Sequence, residues 1–448
     1  MIPSLRVYFL LLLGILIAPA LAIFFNLPAG ITGTLLYDTG ILLLMLFDGI
    51  RVRAHRTQVT RGSLGRLSIG RENPVVLSVR AGKIPAHIQI RDSYPVEFEV
   101  SAPALDAALQ PDTTEELTYT VQPKNRGECG WGDIHVRQLG PWGLAWHDWT
   151  VRASQKVAVY PDLLALRALA IRLALLNAGN TPQASRFGMG TEFAELREYS
   201  AGDDFRLIDW KATSRRLGAF GRTPLQVRVL EPEQEQTVMI LLDRGRLMTA
   251  RVRGLKRFDW GLNATLALAL AGLSRGDRVG VGVFDREVTA WIPPERGQQH
   301  LNRLIERLTP IQPVVLEPDY MGAVTNLVKL QTRRSLVVLI TDIVDSTASS
   351  ELLAALGRLT PRYLPFCVTL RDPQVDTLAH TSVPVADGKK GEISAAYTRA
   401  VALDLLSQRG VAFAQLKQKG VLVLDAPADR ISTQLVDRYL QLKARNQL

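Results

Sequence analysis

Two acidic residues, Asp243 and Asp342, each end an apolar run in the second half of the chain. The runs are TVMILLD at residues 237–243 and SLVVLITD at residues 335–342. Continuous apolar runs of this length predict strands that are buried on both faces of a parallel sheet. Such strands end along one edge, where ligands usually bind, and hard divalent cations prefer carboxylate oxygens. We therefore expect a candidate metal pair here, which together with Asp345 is compatible with a metal-dependent hydrolase.

A second stretch, residues 189–211, mixes acids, bases and aromatics so densely that neither a helical nor a strand period is visible. Disordered segments are normally poor in aromatics, so this composition predicts a packed, hydrogen-bonded turn. Two interpretations stay open: a structural joint whose ion pairs satisfy one another, and a partner-binding surface. The residues concerned are Arg197, Glu198, Tyr199, Asp203, Asp204, Arg206, Asp209, Trp210 and Lys211.

Other catalytic and cofactor-binding patterns are missing from the sequence. The two cysteines, Cys129 and Cys367, form no CxxC pair, and the six histidines include no HExxH. This usage favours neither a disulfide framework nor a thiolate or histidine metal site, and it suits a reducing compartment. No GxGxxG opens a helix after the first apolar strand and no Walker GxxxxGK(S/T) is present, so nucleotide binding has little support. No catalytic triad can be assembled without arbitrary choice, so we expect no catalytic residues.

The elements around the strand-end acids alternate between strands and helices from residue 236 to residue 448. Helical spacing of alanine and leucine is clear at 255–273, and further helices are expected at 301–308, 323–330, 351–359 and 395–419. Buried or half-buried strands are expected between them, which predicts an α/β domain with a doubly wound, mostly parallel sheet.

Residues 57–162 have a different period. Alternation of apolar and polar residues predicts strands at 74–81, 87–92, 96–100 and 116–122, followed by further strands, and this spacing favours an antiparallel β-sandwich. Four tryptophans, at positions 131, 142, 146 and 149, fall in this domain. Without a basic groove they indicate core or sheet-edge packing rather than base stacking. Residues 163–235 form a connecting segment.

Residues 1–56 carry two apolar stretches, 5–25 and 31–50, separated by a short connection. Each is long enough for a helix that crosses a ~30 Å hydrocarbon core, which predicts a transmembrane hairpin. Six arginines between 51 and 71 follow it with no acid before Glu72, so the positive-inside rule places the rest of the chain in the cytoplasm. A cleaved signal peptide is the alternative for the first stretch. Asp38 lies inside the second, where it could face the first helix or lie near the interface.

The chain resembles, over nearly its whole length, bacterial membrane proteins of the domain-of-unknown-function-58 family, which carry a von Willebrand factor A-like domain. The resemblance is carried by residues 190–216, 228–248, 282–301 and 333–345. It implies a two-helix anchor in the bacterial inner membrane, a β-sandwich and an A-type α/β domain. It also implies association with AAA+ ATPases of the MoxR type in systems that assemble or mature other proteins.

A-type domains often bind Mg²⁺ through a DxSxS sequence after the first strand, a threonine in a later loop and an aspartate after the fourth strand. Here Asp243 and Asp342 fit the outer elements, but Gly245 and Leu247 replace both serines. Arg244 and Arg246 flank the altered loop, so a guanidinium could pair with Asp243 and replace the cation. No cofactor is therefore expected, beyond weak Mg²⁺ binding at most.

The function that follows is a membrane-anchored adaptor or scaffold, whose partners are an AAA+ ATPase and client proteins. A metal-dependent hydrolase is one alternative. Nucleic-acid binding through the arginines at 215–222 and 244–257 is another, which the net charge of +10 permits. Those arginines accompany no helix-turn-helix or RRM signature, so no nucleic-acid partner is expected. The sequence leaves the oligomeric state open.

Overall fold

A computed structural model describes residues 1–24, 27–179, 192–200, 203–215, 224–231, 236–343, 350–380 and 389–445. The chain divides into two compact units, Met1–Leu164 and Ala165–Leu448. The first holds two N-terminal helices and the antiparallel sheets. The second holds the residues 189–211 stretch and the mixed sheet, so both sets of candidate site residues belong to the second unit.

The first unit contains two helices and twelve strands. They are β1 Ile2–Pro3, α1 Leu5–Phe24, α2 Leu27–Ala54, β2 Gln58–Arg61, β3 Leu67–Ser68, β4 Asn73–Arg80, β5 Ala86–Asp92, β6 Glu99–Val100, β7 Leu105–Leu109, β8 Thr114–Gln122, β9 Gly127–Trp131, β10 Ile134–Leu139, β11 Ala145–Val151 and β12 Gln155–Tyr160.

These strands form three sheets, ordered β1-β11-β10-β5-β7, β2-β4-β8-β6 and β3-β12-β9, and every pairing except β12 with β3 is antiparallel. The period-two pattern places alternate residues inside: in β4, Val75, Leu77 and Val79 are buried, and the residues between them are not. The strand expected at 96–100 is only two residues long, because residues 96–98 form a turn that buries Phe98 and exposes Val96.

Among the described residues one helical segment, Gly30–Ala54 of α2, is long and apolar enough to cross a membrane, with a mean hydropathy of 1.6. The apolar segment Leu5–Leu16 of α1 is shorter. The connection expected at 26–30 is wrong at its end, because α2 already begins at Leu27. Asp38 faces α1: a Cβ on Gly14 would lie 2.6 Å from its Oδ1. The acid thus points at the neighbouring helix.

A second acid, Asp48, joins the end of α2 to the sandwich. Its carboxylate is fully buried and accepts hydrogen bonds from the backbone N–H groups of Trp142 (3.1 Å), Leu144 (3.0 Å) and Ala145 (3.3 Å). Gly140 leaves room for it, since a Cβ there would lie 2.1 Å from Asp48 Oδ2. The loop at 140–145 is thereby fixed to the helix. We call this contact the Asp48 latch.

The second unit adds nine helices and ten strands among the described residues. They are α3 Leu163–Gly179, which begins at the boundary, β13 Glu192–Glu198, α4 Trp210–Arg215, β14 Gln226–Glu231, β15 Thr237–Asp243, β16 Arg251–Val252, β17 Leu255–Lys256, α5 Arg257–Ser274, β18 Arg278–Phe284, β19 Val288–Glu295, α6 Gln298–Leu308, α7 Tyr320–Leu330, β20 Leu336–Thr341, α8 Ser350–Gly357, β21 Leu364–Arg371, α9 Pro373–His380, α10 Lys389–Gln418, β22 Leu422–Pro427 and α11 Ile431–Ala444.

Six strands form one sheet in the order β19-β18-β15-β20-β21-β22, in which only β19 is antiparallel to its neighbour. Helices cover both faces. Met239 and Leu241 of β15 pack in a core with α7, α8 and α10. Leu242 faces the other way, against Gly261 of α5. The chain runs from β15 outward to β18 and β19 and then returns to β20, so the carboxyl ends of β15 and β20 are neighbours.

The Asp48 latch predicts that Gly140→Ala lowers the stability of the first unit. The added methyl group overlaps the buried carboxylate, and overpacking of this kind costs about 1–3 kcal/mol. The matched control is Gly130→Ala in β9, where an added Cβ meets no atom within 4 Å. The melting temperature of the full chain in detergent should fall for the first variant and stay near wild type for the second. Equal melting temperatures would refute the latch.

Candidate functional site at the strand ends

The register between β15 and β20 decides which side chains meet at the strand ends. Leu242 pairs with Ile340, which makes Thr341, rather than Asp342, the lateral neighbour of Asp243. Successive side chains point to opposite faces of a strand, so the one-residue offset places the carboxylates of Asp243 and Asp342 in different environments. The pair of carboxylates expected from the sequence is therefore split into two separate sites.

Asp243 is held by neutral donors. Its Oδ2 accepts hydrogen bonds from the hydroxyls of Thr341 (2.7 Å) and Tyr320 (3.2 Å), and its Oδ1 accepts one from the N–H of Gly245 (2.7 Å). The side chain is fully buried, and burial raises the pKa of its carboxyl to about 6 even though these hydrogen bonds act in the opposite direction. Asp243 thus keeps its proton more readily than an exposed aspartate.

Asp342 is held by two guanidinium groups. Arg257, the first residue of α5, approaches its Oδ2 at 2.6 Å, and Arg409 of α10 approaches its Oδ1 at 2.7 Å. The backbone N–H of Ile343 adds a third donor at 2.9 Å. A carboxylate with so little exposure requires this compensation, because an unpaired buried charge is costly. Neither arginine was predicted from the sequence as a partner of Asp342, and Arg257 was considered only among the arginines that could bind nucleic acid.

Arg409 also extends the network to the next strands. Its Nη2 lies 2.8 Å from Asp425 of β22, and that carboxylate accepts a hydrogen bond from Thr369 of β21 at 2.9 Å. The paired carboxylates raise the pKa of Arg409 against the opposing effect of its burial. One cation therefore neutralises acids on two separate segments and ties α10 to the strand ends.

The altered loop after β15 is arranged differently from the sequence-based expectation. Arg244 pairs with Asp285 (2.6 Å) and Arg246 with Glu317 (2.7 Å), so the expected guanidinium partner of Asp243 is wrong. The prediction relied on the closeness of Arg244 and Arg246 to Asp243 in the sequence. In the structure each of these two arginines pairs with a carboxylate on another loop. The guanidinium that replaces a cation acts at Asp342 instead.

Gly245 excludes a larger residue at the centre of this loop. A Cβ there would lie 2.9 Å from the carbonyl oxygen of Leu316 and 3.0 Å from Asp243 Oδ1. The loop at 314–316 approaches this closely because the N–H of Arg246 donates to Leu316 and the N–H of Val314 donates to Arg244. A serine hydroxyl therefore has no place at position 245.

The oxygen ligands at the strand ends do not fit a bound Mg²⁺ ion. Both oxygens of Asp243 and both of Asp342 already accept hydrogen bonds from the chain, and the serine positions hold Gly245 and Leu247. Among the described residues no cluster of three or more acidic, histidine or cysteine side chains could hold a metal. Asp345, the further acid considered for a hydrolase, lies outside the described residues.

The residues 189–211 stretch forms a small unit around the β13–β14 hairpin, of which residues 189–191 and 201–202 lie outside the described part. Arg197 of β13 binds the carboxylate of Asp203, and Arg228 of β14 binds that of Asp209 at 2.8 Å. In each case the guanidinium hydrogen bond is the main cause of a lowered carboxyl pKa. The ion pairs of the stretch are thus satisfied locally.

The remaining acids and aromatics of this stretch have distinct surroundings. Asp204 caps a 3₁₀ turn at Phe205–Leu207, and Asp209 also accepts hydrogen bonds from the N–H groups of Lys211 and Ala212 at the start of α4. Tyr199 stacks on Phe205 at 5.6 Å between ring centroids. The side chains of Phe205 and Trp210 are largely exposed. Glu198 ends β13, and Arg206 lies in the 3₁₀ turn.

Residues 195–405 match a family model described as "Protein of unknown function DUF58". This match agrees with the resemblance noted from the sequence. Uncharacterized proteins of Mycobacterium tuberculosis and Mycobacterium bovis are 25% identical over 157 residues, which cover 35% of this chain and 48% of theirs. The chain thus spans about half the length of the curated relatives it matches.

Two solved structures are similar over 47% of this chain and 99% of their own, each at 13% identity. One is an aerotolerance-related membrane protein from Bacteroides fragilis, with a TM-score of 0.30. The other is the conserved hypothetical protein BatB from Bacteroides thetaiotaomicron, with a TM-score of 0.31. Similarities at this level do not define the activity of this chain.

The raised pKa of Asp243 predicts a pH-dependent contribution to stability. Between about pH 4 and pH 6 the folded chain retains a proton that the unfolded chain has lost, so this stabilisation is full below about pH 4 and is lost as the pH rises through about 6. Asp243→Asn cannot titrate, and its amide oxygen can accept from the N–H of Gly245 while its NH2 group donates to the hydroxyls of Thr341 and Tyr320. Its free energy of unfolding relative to wild type should rise by about 2 kcal/mol from pH 4 to pH 7.

Urea unfolding of the full chain in detergent at several pH values measures this difference. Glu306→Gln, which removes an exposed acid of α6, serves as the control against which the pH dependence of Asp243→Asn is compared. A flat difference for Asp243→Asn would mean that the carboxyl titrates normally in the folded chain.

The guanidinium network predicts that Arg409→Met destabilises the second unit by about 3–5 kcal/mol, because two carboxylates lose their shared cation. Millimolar Mg²⁺ should restore part of the lost melting temperature in this variant. It should not stabilise wild type or the surface control Arg438→Met. Calorimetric titration with Mg²⁺ tests the site in wild type directly. If wild type bound Mg²⁺ at sub-millimolar concentration and Asp243→Ala abolished this binding, the conclusion that the strand-end oxygens do not fit Mg²⁺ would be contradicted.

Proposed function

We propose that this chain is a membrane-anchored protein-interaction adaptor whose strand-end surface binds a partner protein. The observation that carries the proposal is that the acids at the strand ends are buried and paired, whereas the side chains on the neighbouring loops are exposed. The carboxylates of the buried residues Asp243 and Asp342 already bind donors of the protein itself. The exposed side chains on the neighbouring loops form a surface that we call the rim, and they are Arg246, Arg286, Glu287, Val315 and Glu317. This arrangement supports protein recognition over a metal-dependent hydrolase, for which free carboxylate oxygens would be needed.

The rim combines charge with apolar surface. Val315 is 75% exposed and lies two residues before Glu317, whose exposed side chain pairs with that of Arg246. Arg286 and Glu287, which follow β18, are also exposed. Backbone hydrogen bonds between the loops at 244–246 and 314–316 hold the rim in one conformation. Less ordering is then required when a partner binds.

The anchor proposed here is a two-helix hairpin that places both soluble parts in the cytoplasm, at the bacterial inner membrane. The long apolar helix Gly30–Ala54 supports an anchor, and the arginines that follow it support the orientation. The apolar segment Leu5–Leu16 belongs to α1, which packs against α2 through Gly14. A multi-pass topology is the simplest arrangement of two adjacent apolar helices.

The proposed partner is a MoxR-type AAA+ ATPase, and the proposed clients are proteins that this ATPase helps to assemble or mature. Support comes from the resemblance to the domain-of-unknown-function-58 family and its von Willebrand factor A-like domain. The mixed sheet with helices on both faces is compatible with that domain. We propose no cofactor, since the carboxylate oxygens at the strand ends do not fit Mg²⁺.

A nucleic-acid partner is not proposed, because the arginines at 244–257 are already engaged. Each of the five meets an acid or a carbonyl group, and phosphate binding would have to displace these contacts. The pairs are Arg244 with Asp285, Arg246 with Glu317, Arg251 with the carbonyl of Gly254, Arg253 with Asp429 and Arg257 with Asp342. The arginines at 216–222 lie outside the described residues.

The rim predicts site-specific crosslinking to the ATPase. A photoreactive amino acid in place of Val315 should crosslink, in native membranes, to a protein that mass spectrometry identifies by its Walker motifs. The control position is Leu330, which is apolar and 54% exposed at the far end of α7. Recovery of the ATPase at both positions, or at Leu330 alone, would rule out the rim as its binding surface.

A further inference from the structure

Within the first unit, the surface where the sandwich meets the two apolar helices carries two arginines that pair with no acid among the described residues. Arg6 and Arg51 are exposed, and within the described ranges neither forms an ion pair. The carboxylate of Asp48 is buried in its latch and accepts hydrogen bonds from three backbone N–H groups. The exposed charge at this level of the protein is therefore positive.

Both guanidinium groups lie against the same dipeptide, Trp142–Gly143. The guanidinium carbon of Arg51 is 5.8 Å from the centroid of the Trp142 ring and 6.0 Å from that of Phe47, and the two rings stack at 5.4 Å. The Arg6 side chain closes on Gly143, where a Cβ would lie 2.6 Å from its Nη1. Positive φ at Gly143 (+72°) further favours glycine here.

The latch and a second set of contacts fix this geometry. Ser4 donates its hydroxyl to the carbonyl of Gly143 at 2.6 Å, and its N–H donates to the carbonyl of Leu144 at 2.9 Å. The start of α1 and the end of α2 are thus fastened to one loop. These contacts hold Arg51 against Trp142 and Arg6 against Gly143.

The level of this cluster along α2 indicates what it faces. The apolar run ends at Ile50, and about twenty helical residues before it span the ~30 Å hydrocarbon core of a bilayer. Arg51 is the first charge beyond that run, and Phe47 and Trp142 are partly exposed beside it. Tryptophan and arginine at such a boundary place their apolar parts toward acyl chains and their polar parts toward headgroups.

We propose that Arg6, Arg51 and Trp142 form a binding site for the phosphate group of an anionic phospholipid. A planar guanidinium binds phosphate oxygens with two parallel hydrogen bonds, and Arg6 and Arg51 offer two such groups beside the Trp142–Gly143 dipeptide. The site rests on the membrane anchor of the proposed function. It does not depend on the partner of the strand-end rim.

The test uses the full chain in detergent and native mass spectrometry with three probes: dioctanoyl phosphatidylglycerol, dioctanoyl phosphatidylcholine and inorganic phosphate. Wild type should bind phosphatidylglycerol at least about tenfold more tightly than phosphatidylcholine, a difference of about 1.4 kcal/mol. The double variant Arg6→Gln/Arg51→Gln should lose this preference. Arg152→Gln, an exposed arginine beyond the far end of β11, should keep it. Melting temperatures confirm that both variants are folded.

Three results would overturn the site. They are an unchanged preference in the double variant, binding of inorganic phosphate as tight as that of phosphatidylglycerol, and displacement of the lipid by a single-stranded oligonucleotide. Alkaline carbonate extraction of native membranes separates this failure from failure of the anchor. Release of the chain would reject the anchor itself. Retention without lipid preference would reject only the phosphate site.

Discussion

A carboxylate buried at the end of a parallel strand needs hydrogen-bond donors or an opposite charge, and the second unit supplies them from its own side chains. Helices cover both faces of the sheet, so water cannot compensate Asp243 or Asp342. Asp243 meets only hydroxyls and one N–H group, whose hydrogen bonds do not offset its burial, so the pKa of its carboxyl is raised to about 6. Asp342 meets two guanidinium groups and stays paired. The positions of α5 and α10 follow, because each contributes one of these arginines.

Neutralisation by tethered cations has consequences for recognition. Where a bound metal completes its coordination with a carboxylate from a partner, binding depends on the metal. Here Arg257 and Arg409 are mostly buried and already hold Asp342, so an approaching acid would have to break existing pairs. In the proposed adaptor, contacts with a partner would then fall on the exposed Arg246, Val315 and Glu317, whose loops are joined by backbone hydrogen bonds. Such a surface is formed whether or not a divalent cation is present.

Hydrophobic periodicity predicted much of the fold. The apolar runs before Asp243 and Asp342 form neighbouring parallel strands, and period two marks the antiparallel sheets of the first unit. The partners of Asp342 could not be predicted in this way, because Arg409 is 67 residues away and sits on a helix whose pattern contains no signal for it. The register was also out of reach, since a single-residue offset places Thr341 rather than Asp342 beside Asp243. Gly245 was visible, but only the close approach of Leu316 explains it.

The need to satisfy a buried carboxylate also explains Asp48, an acid near the end of an apolar helix where cations are usual. As a lipid-exposed charge it would be costly, yet three N–H groups of the 140–145 loop enclose it. The loop can do this because Gly140 leaves room for the carboxylate. By holding the loop against the helix, Asp48 sets Trp142 beside Arg51. A buried negative charge thus determines where the exposed positive charge of this surface is placed.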